Sequence, residues 1–234
     1  MKKVLITGAT SGIGDATLKE LVNKYEVIFT YHHNEEKALE ITSKYHIKGY
    51  YLDLGDKESI EKLVDSIDSI DNIDILINNA AICLDNSFED KTYMEFSKVV
   101  NVNLTGTYYL TKLLSKKINN GGNILFISST NGIDTYYIES IDYDASKAGV
   151  ISLMHNFAKQ LAPIRVNAIA PGWVDTEMNA SMSDKFKKNE EEHILLKRFA
   201  SPEEISKVIN FVISDDASYI NDTVIRVDGG VNNG

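Results

Sequence analysis

Near its start the chain reads Val4-Leu5-Ile6-Thr7-Gly8-Ala9-Thr10-Ser11-Gly12-Ile13-Gly14. A short apolar run passes into a turn with three glycines, and the amphipathic stretch that follows predicts a helix over Ile13–Lys24. Glycines allow a tight turn and a close approach of the backbone to a ligand, and a helix N-terminus supplies N–H donors with a partial positive charge. A strand, such a turn and a helix in this order predict a site for the pyrophosphate of a dinucleotide.

The spacing of these glycines is G-x-x-x-G-x-G, whereas the more common dinucleotide fingerprint is G-x-G-x-x-G. No Lys-Ser or Lys-Thr pair follows the turn, which excludes the P-loop that binds nucleoside triphosphates. A turn with a purely structural role is the alternative interpretation, because glycine-rich turns alone are weak evidence. The strand before the turn and the helix after it favour the nucleotide site.

Apolar runs and amphipathic stretches alternate along the rest of the chain. The runs are nearly continuous, as is typical of parallel strands covered on both faces, and they are Val4–Thr7, Val27–Tyr31, Gly49–Leu52, Ile73–Ile77, Asn123–Ile127, Arg165–Ala170 and Thr223–Val227. The predicted helices are Ile13–Lys24, Glu35–Tyr45, Lys57–Ile70, Phe96–Ile118, Asp142–Leu161 and Pro202–Ser214. This alternation predicts an α/β fold, a doubly wound (Rossmann) parallel sheet of about seven strands with helices on both faces.

We expect one domain over residues 1–234, because the sequence shows no internal repeat, no low-complexity linker and no break in composition. Its least regular segment is Val174–Arg198, which is polar and carries Met178, Met182 and Phe186. A long segment without a clear strand, next to a ligand site, is more often a lid than a domain boundary. Residues 174–198 are therefore predicted to form a substrate lid.

The composition excludes several classes of partner. The 234 residues are 43% hydrophobic, enough for a sizeable core, and 24 basic against 34 acidic residues give a net charge of −10. This acidic excess argues against a nucleic-acid partner, and no apolar run approaches the roughly 20 residues that a membrane span requires. The single cysteine, Cys83, cannot form an internal disulfide, and we expect a cytoplasmic protein.

Further motifs follow along the chain at the ends of predicted strands or on predicted helices. They are Asn78-Asn79-Ala80-Ala81, Asn103 within Asn-Val-Asn-Leu-Thr-Gly, Ser128-Ser129, Tyr143-Asp-Ala-Ser-Lys147, Pro171-Gly172-Trp173-Val174-Asp175-Thr176 and Asp228-Gly229-Gly230. With the glycine turn, this ordered series resembles the short-chain dehydrogenase/reductase family over essentially the whole chain. The resemblance implies an NAD(P)(H)-dependent oxidoreductase that moves a hydride between a nicotinamide and a carbonyl or secondary alcohol.

Tyr143 and Lys147 can also be interpreted from their chemistry alone. They are four residues apart, so both side chains leave one face of a helix. A phenol has a pKa of about 10, and a neighbouring ammonium group favours the phenolate, which predicts a lowered pKa for Tyr143. Such a pair on a surface helix is usually only a solvated face. A serine at the carboxyl end of a strand, where open α/β sheets bind ligands, favours the catalytic interpretation.

The resemblance implies a role for each of four catalytic residues. Tyr143 would protonate the carbonyl oxygen as hydride arrives, and Ser129 would hydrogen-bond that oxygen. Lys147 would lower the tyrosine pKa and bind the nicotinamide ribose, and Asn103 would position a water that links Lys147 to solvent. Ser128 is the alternative to Ser129, although the family places the catalytic hydroxyl second in such a pair.

The cofactor set that the resemblance implies extends over much of the chain. It comprises Gly8, Thr10, Ser11, Gly12, Ile13, Gly14, Tyr31, Asp53, Leu54, Asn79, Ala80, Tyr143, Lys147, Pro171, Gly172, Val174 and Thr176. An NAD site usually has an acidic residue at the end of the second strand, but residues 30–34 read Thr-Tyr-His-His-Asn. NADP(H) is therefore favoured, although no Arg or Lys is present there either, and NAD(H) is not excluded.

Some residues depart from the family pattern or suggest other chemistry. Ala81 replaces a glycine, and the loop before Tyr143 is about one residue longer than the family pattern. The neighbouring His32 and His33 lack the i, i+3 or i+4 spacing of helical metal ligands, so we predict no metal site. A thiol such as Cys83 has no role in hydride transfer.

The subfamily that the chain resembles is the 3-oxoacyl-acyl-carrier-protein reductases, so a carbonyl or acyl-thioester substrate is expected. A basic rim for an acidic carrier would draw on Lys116, Lys117, Lys185, Lys187, Lys188 and Arg198. The net charge of −10 keeps open a general reductase of free carbonyls, sugars or alcohols. A non-catalytic nucleotide-binding regulator is the third alternative. The family also implies a homodimer or homotetramer that pairs the long helices Phe96–Ile118 and Asp142–Leu161.

Overall fold

The computed structural model describes residues 1–68, 72–180 and 182–231. Its strands are β1 (Lys3–Ile6), β2 (Glu26–Tyr31), β3 (Lys48–Tyr51), β4 (Ile73–Asn78), β5 (Ile118–Ile127), β6 (Arg165–Pro171) and β7 (Val224–Val227). They form one sheet in the order β3-β2-β1-β4-β5-β6-β7, in which every neighbouring pair is parallel. The predicted doubly wound sheet is confirmed, and its order reverses between β1 and β4, where such sheets bind ligands.

Helices cover both faces of the sheet. They are α1 (Gly12–Leu21), α2 (Glu35–Tyr45), α3 (Lys57–Asp68), α4 (Tyr93–Val100), α5 (Thr107–Leu114), α6 (Ile141–Gln160), α7 (Asp184–His193) and α8 (Pro202–Ile213). Alternate residues of β1 enter different cores: Leu5 packs with α3, α5 and α6, whereas Val4 and Ile6 pack with α1, α2 and α8. This burial on both faces explains why the strands are almost continuously apolar.

The sequence predicted the strands within one or two residues, except for β5. That strand begins at Ile118, which pairs with Ile73, and not at Asn123. The helix predicted over Phe96–Ile118 is divided into α4, a π-helical turn at Asn101–Gly106, α5 and a 3₁₀ turn at Ser115–Lys117. The last two residues predicted for the third helix lie outside the described residues.

Local sequence explains where several helices begin. Ser201 caps α8 through the N–H of Glu204, whose carboxylate accepts from the N–H of Ser201, and Pro202 takes the first helical position. Ser183 likewise accepts from the N–H of Phe186 and begins α7. The segment expected to be irregular therefore contains a helix, although none of the residues of α7 is buried. No helix in the described ranges meets the length and apolarity that a membrane crossing requires.

Candidate active site

A cavity of about 1500 Å³ runs along the carboxyl ends of the strands. All of the predicted cofactor residues except Tyr31 line it, and so does Ser129. It extends from the glycine turn after β1, past the ends of β4 and β5, to α7. Residues separated widely in the chain therefore meet at the sheet edge where open α/β proteins bind their ligands.

The glycine turn is closely packed against the end of β4. Gly8 has a φ of +66°, a conformation that favours glycine, and a Cβ on Gly14 would lie 2.1 Å from the Gly8 carbonyl oxygen. The Asn79 side-chain amide donates to the carbonyls of Thr7 (2.9 Å) and Gly8 (3.0 Å). The Thr7 hydroxyl oxygen accepts from the N–H groups of Asn79 and Ala80, both at 3.0 Å. These bonds hold the turn open towards the cavity.

An acidic side chain lies at the N-terminus of α1. The Gly12 N–H donates to Oε2 of Glu177 at 3.1 Å, and the N-cap residue Ser11 makes no side-chain capping bond. A helix N-terminus attracts anions through its free N–H groups and its dipole. Together with the glycine cradle, this carboxylate–amide contact fits a site for the pyrophosphate of a dinucleotide. Sequence reasoning stopped one residue short of Glu177, at Thr176.

The end of β2 presents histidines to the cavity. His32 and His33 line it, their ring centroids are 3.7 Å apart, and His32 Nε2 lies 3.5 Å from Oδ2 of Asp53. Tyr31 does not line the cavity, in contrast to the prediction. Its ring makes an edge contact with Tyr51 at 6.2 Å and packs on the core, because alternate residues of a strand face opposite sides.

The side chains of Tyr143 and Lys147 leave the first turns of α6 towards the cavity. Lys147 Nζ lies 5.3 Å from the centroid of the Tyr143 ring and donates to the Ile127 carbonyl at 2.8 Å. Ser128 is buried and donates to the Lys147 carbonyl at 2.9 Å, so it fastens α6 to the end of β5. The Ser129 hydroxyl oxygen accepts from the N–H of Asn131 at 3.2 Å, and Ser129 also lowers the pKa of the Tyr143 phenol against the effect of burial. Of the two serines, Ser129 is therefore the one that acts on the phenol.

Burial shapes the proton affinities of this pair. Desolvation raises the pKa of Tyr143 above its ordinary value, Cys83 adds to the rise, and the Ser129 hydroxyl opposes it. Desolvation also lowers the pKa of Lys147 to about 8. The sequence predicted a lowered pKa for Tyr143, whereas in this structure the pKa is raised, because the loss of water is the largest influence on the phenol.

Asn103 lies in the π-helical turn and is buried. Its side-chain oxygen accepts from the N–H of Ile82 at 2.8 Å, and its amide donates to the Ile82 carbonyl at 2.8 Å and to Ser146 Oγ at 3.1 Å. Asn103 thus ties the segment after β4 to the residue before Lys147. It does not line the cavity, and its role in positioning a water stays a prediction.

The end of the cavity opposite His32 has aromatic walls. The Trp173 ring stacks on Phe199 at 5.5 Å and meets the edges of Phe186 (5.9 Å) and Tyr137 (6.0 Å). Trp173 Nε1 donates to Glu190 of α7 at 3.0 Å. Sequence reasoning noted Trp173 and Phe186 but missed Tyr137, which lies in the loop recognised only as lengthened. No cluster of three or more metal-binding side chains occurs within the described ranges.

Comparisons with known proteins identify the family of the chain. A family model described as enoyl-(acyl carrier protein) reductase matches residues 8–232. The 3-oxoacyl-[acyl-carrier-protein] reductase of Aquifex aeolicus is 39% identical over 241 residues, which cover 98% of this chain and 97% of the relative. The chain belongs to the short-chain dehydrogenase/reductase family. The predicted family is therefore confirmed.

Other members of the short-chain dehydrogenase/reductase family differ in the substrates that their names give. A tropinone reductase homolog of Arabidopsis thaliana is 36% identical, over 98% of this chain and 91% of the relative. A solved structure of a short-chain dehydrogenase from Burkholderia cenocepacia, in complex with NADP, is 26% identical with a TM-score of 0.91. It covers 98% of this chain and 97% of that one.

Proposed function

We propose that this protein is an NADP(H)-dependent oxidoreductase that moves a hydride between a nicotinamide and a carbonyl or secondary-alcohol carbon. The observation that carries the proposal is the meeting of Ser129, Tyr143 and Lys147 on one cavity with the glycine turn. The acyl-carrier-protein reductases and the NADP-bound dehydrogenase to which the chain is similar support the same activity. The presence of Tyr143 and Lys147 argues against a non-catalytic nucleotide-binding regulator, because a nucleotide site alone needs neither residue.

The chain would hold the dinucleotide along the switch point of the sheet. The N–H groups at the start of α1 would bind the pyrophosphate. His32 and His33 follow β2 and line the part of the cavity where the adenosine ribose of such cofactors would lie. Lys147 would bind the nicotinamide ribose, and Pro171 and Gly172, which line the same cavity, would border the nicotinamide. When bound, the nicotinamide supplies or accepts the hydride.

The protein residues control the proton at the carbonyl oxygen. Tyr143 Oη donates its proton to that oxygen as negative charge develops there, and Ser129 Oγ donates a hydrogen bond that holds it. In oxidation Tyr143 Oη accepts the alcohol proton instead, so the phenolate has to form first.

For the substrate we propose a 3-oxoacyl thioester, which the aromatic walls around Trp173 would accommodate. A free ketone is the second candidate, because the net charge of −10 opposes docking of an acidic carrier protein and because a tropinone reductase homolog is among the relatives. The family model's description names reduction of a carbon–carbon double bond in an acyl chain, so that substrate belongs in the test as well.

The test follows NADPH absorbance with a panel of substrates: a 3-oxoacyl thioester on acyl carrier protein, the same acyl group on a short thiol, an enoyl thioester, tropinone, diketones and sugars. We expect the 3-oxoacyl thioesters to give the highest kcat/KM. A higher value for a free ketone would replace the substrate assignment but not the activity. Failure of the whole panel with both NADPH and NADH, for a folded protein, would contradict the proposed function.

Residues 174–198 are proposed as a lid over the substrate end. Met178, Met182 and Phe186 line the cavity, and no residue of α7 is buried, so α7 is held by surface contacts such as those of Phe186 and Glu190 with Trp173. Closure would exclude water from the reacting atoms. Hydrogen exchange tests this: amides of α7 are expected to gain protection when NADPH and substrate are both bound, while those of α8 stay unchanged. Strong protection of α7 in the free protein would contradict the lid.

We also propose that this enzyme is cytoplasmic and that its chains form a homodimer or homotetramer. The outer surface of α4 and α5 exposes Tyr93, Met94 and Tyr108, of which Tyr93 is 83% exposed. Exposed aromatic and methionine side chains on one helical surface are typical of protein interfaces. Light scattering should give the mass of two or four chains, and a monomer at micromolar concentration would contradict the assembly.

A further inference from the structure

A buried ion pair lies next to the candidate proton donor. Lys91 Nζ is 3.0 Å from Oδ2 of Asp142, and the two side chains are 5% and 0% exposed. Asp142 is the residue immediately before Tyr143 in the first turn of α6. Taking two charges out of water is costly, and removing one partner leaves an uncompensated charge, so such pairs are sensitive to mutation. None of the proposed chemical steps uses this pair.

Both members of the pair have further partners. The other oxygen of Asp142, Oδ1, accepts from the N–H of Tyr143 at 2.9 Å, one of the donors that a helix N-terminus leaves without an intrahelical partner. Lys91 Nζ also donates to the carbonyl of Leu84. Leu84 lines the cavity. The pair therefore joins a wall of the cavity to the turn that carries Tyr143.

Two further bonds connect the same two segments. Ser140, the N-cap residue of α6, donates from its hydroxyl to Asp85 at 2.5 Å, and the N–H of Asn86 donates to the Glu139 carbonyl at 3.0 Å. In these contacts Asp85 is exposed and Asn86 is half-buried, whereas both side chains of the ion pair are enclosed. The enclosed pair is thus the part of this connection that water cannot replace.

We propose that Lys91 and Asp142 are positioning residues, which hold the Tyr143 phenol in line with Ser129 and fix the Leu84 wall against the substrate. The pair also balances charge beside Tyr143, since the Lys91 ammonium neutralises the carboxylate that precedes the proton donor. During reduction the phenol gives up its proton, and an unpaired carboxylate there opposes the negative charge that develops. This inference rests on the proposed function, because it assumes that Tyr143 is the proton donor.

The test compares Lys91→Met, Asp142→Asn and the double variant with the wild-type protein. NADPH affinity is measured by fluorescence titration, and kcat is measured at saturating cofactor. Misplacement of a reacting group by about 1 Å can cost 100-fold, so we expect kcat of Lys91→Met to fall about tenfold or more. We expect NADPH affinity to stay within about twofold, because the pair does not touch the cofactor cradle. The double variant should recover part of the loss, since no charge is left unpaired.

Leu63→Ala is the matched control for lost stability. Leu63 is buried on α3 and does not line the cavity. If Lys91→Met lowers only the melting temperature, as Leu63→Ala should, and leaves kcat per folded molecule unchanged, the positioning role is wrong. If Lys91→Met does not fold, Asp142→Asn, which keeps the side-chain volume, takes its place. The same result is expected of it: a lower kcat with NADPH affinity nearly unchanged. Retention of turnover by Tyr143→Phe would instead remove the proton-donor role of Tyr143 on which this inference rests, whereas failure of the whole substrate panel would overturn the proposed function.

Discussion

The Lys147 ammonium lies 5.3 Å from the centroid of the Tyr143 ring and is bonded to the Ile127 carbonyl, not to the phenol oxygen. Tyr143→Phe keeps the ring and removes only the proton donor. We expect turnover to fall by about 10²–10⁴-fold, the usual contribution of a general acid, with NADPH affinity nearly unchanged. Rates of NADPH oxidation with the best substrate measure turnover, and fluorescence titration measures NADPH affinity. Near-normal turnover would remove Tyr143 from the mechanism.

Lys147→Met should reduce both turnover and cofactor affinity, but it should also change stability in a pH-dependent way. Burial lowers the pKa of Lys147 to about 8 in the folded chain, whereas an unfolded lysine keeps its ordinary value. Between these two values the unfolded chain binds the extra proton, so the wild-type protein gains stability as pH rises. Below about pH 8 the cost of burying the charge is present in full.

The measurement is the difference in free energy of unfolding between Lys147→Met and the wild type, at pH 7 and at pH 9.5. We expect the free energy of unfolding of Lys147→Met, relative to that of the wild type, to fall by about 2 kcal/mol over this interval. The fall is about 1.4 kcal/mol for each pH unit above 8. Titrating groups that do not interact with Lys147 cancel in the difference. A difference that does not change with pH would mean that Lys147 titrates normally.

Glu177→Gln should strengthen NADPH binding. The Glu177 carboxylate accepts from the Gly12 N–H at the N-terminus of α1, where the cofactor's negatively charged pyrophosphate would bind. Removing the charge removes repulsion worth about 0.3–1 kcal/mol, which corresponds to about a two- to fivefold lower Kd at low salt. The gain should decrease as salt is added. Glu191→Gln, on α7, is the control, and unchanged or weaker binding by Glu177→Gln would contradict the prediction.

His32→Asp should shift preference towards NADH. His32 lies at the end of β2 beside His33 and 3.5 Å from Asp53, and an added carboxylate there repels a 2′-phosphate and accepts hydrogen bonds from ribose hydroxyls. The ratio of kcat/KM for NADPH to that for NADH should fall about tenfold or more, as a like-charge contact predicts. His155→Gln, on the outside of α6, should leave the ratio unchanged. A wild-type preference for NADH would show that the end of β2 was misinterpreted.

Much of the fold and of the site could be predicted from local sequence. A parallel strand buried on both faces requires a continuous apolar run, and β1 and β6 each show one. Tyr143 and Lys147 likewise lie on one face of α6, as their spacing predicts, because side chains four residues apart in a regular helix share a face. Features that depend on a few adjacent residues were therefore accessible before any coordinates.

Features that depend on distant partners were not accessible. Glu177 and Gly12 are 165 positions apart in the chain, and no residue next to either of them predicts their contact. The π-helical turn at Asn101–Gly106 changes the phase of a helix whose apolar pattern continues past it. The rise in the pKa of Tyr143 comes from burial by several elements at once. Each of these outcomes is decided by packing, which the order of residues along one segment does not express.

At position 82 the side-chain amide of Asn103 bonds to the backbone, through the N–H and the carbonyl of Ile82. The anchoring of this segment is therefore independent of which side chain stands at position 82, although that side chain lines the cavity. Attachment and shape are separate properties of this wall. The side chain at position 82 can therefore be exchanged, by evolution or by design, to fit larger or smaller molecules, while the Asn103 amide keeps this wall of the cavity in place.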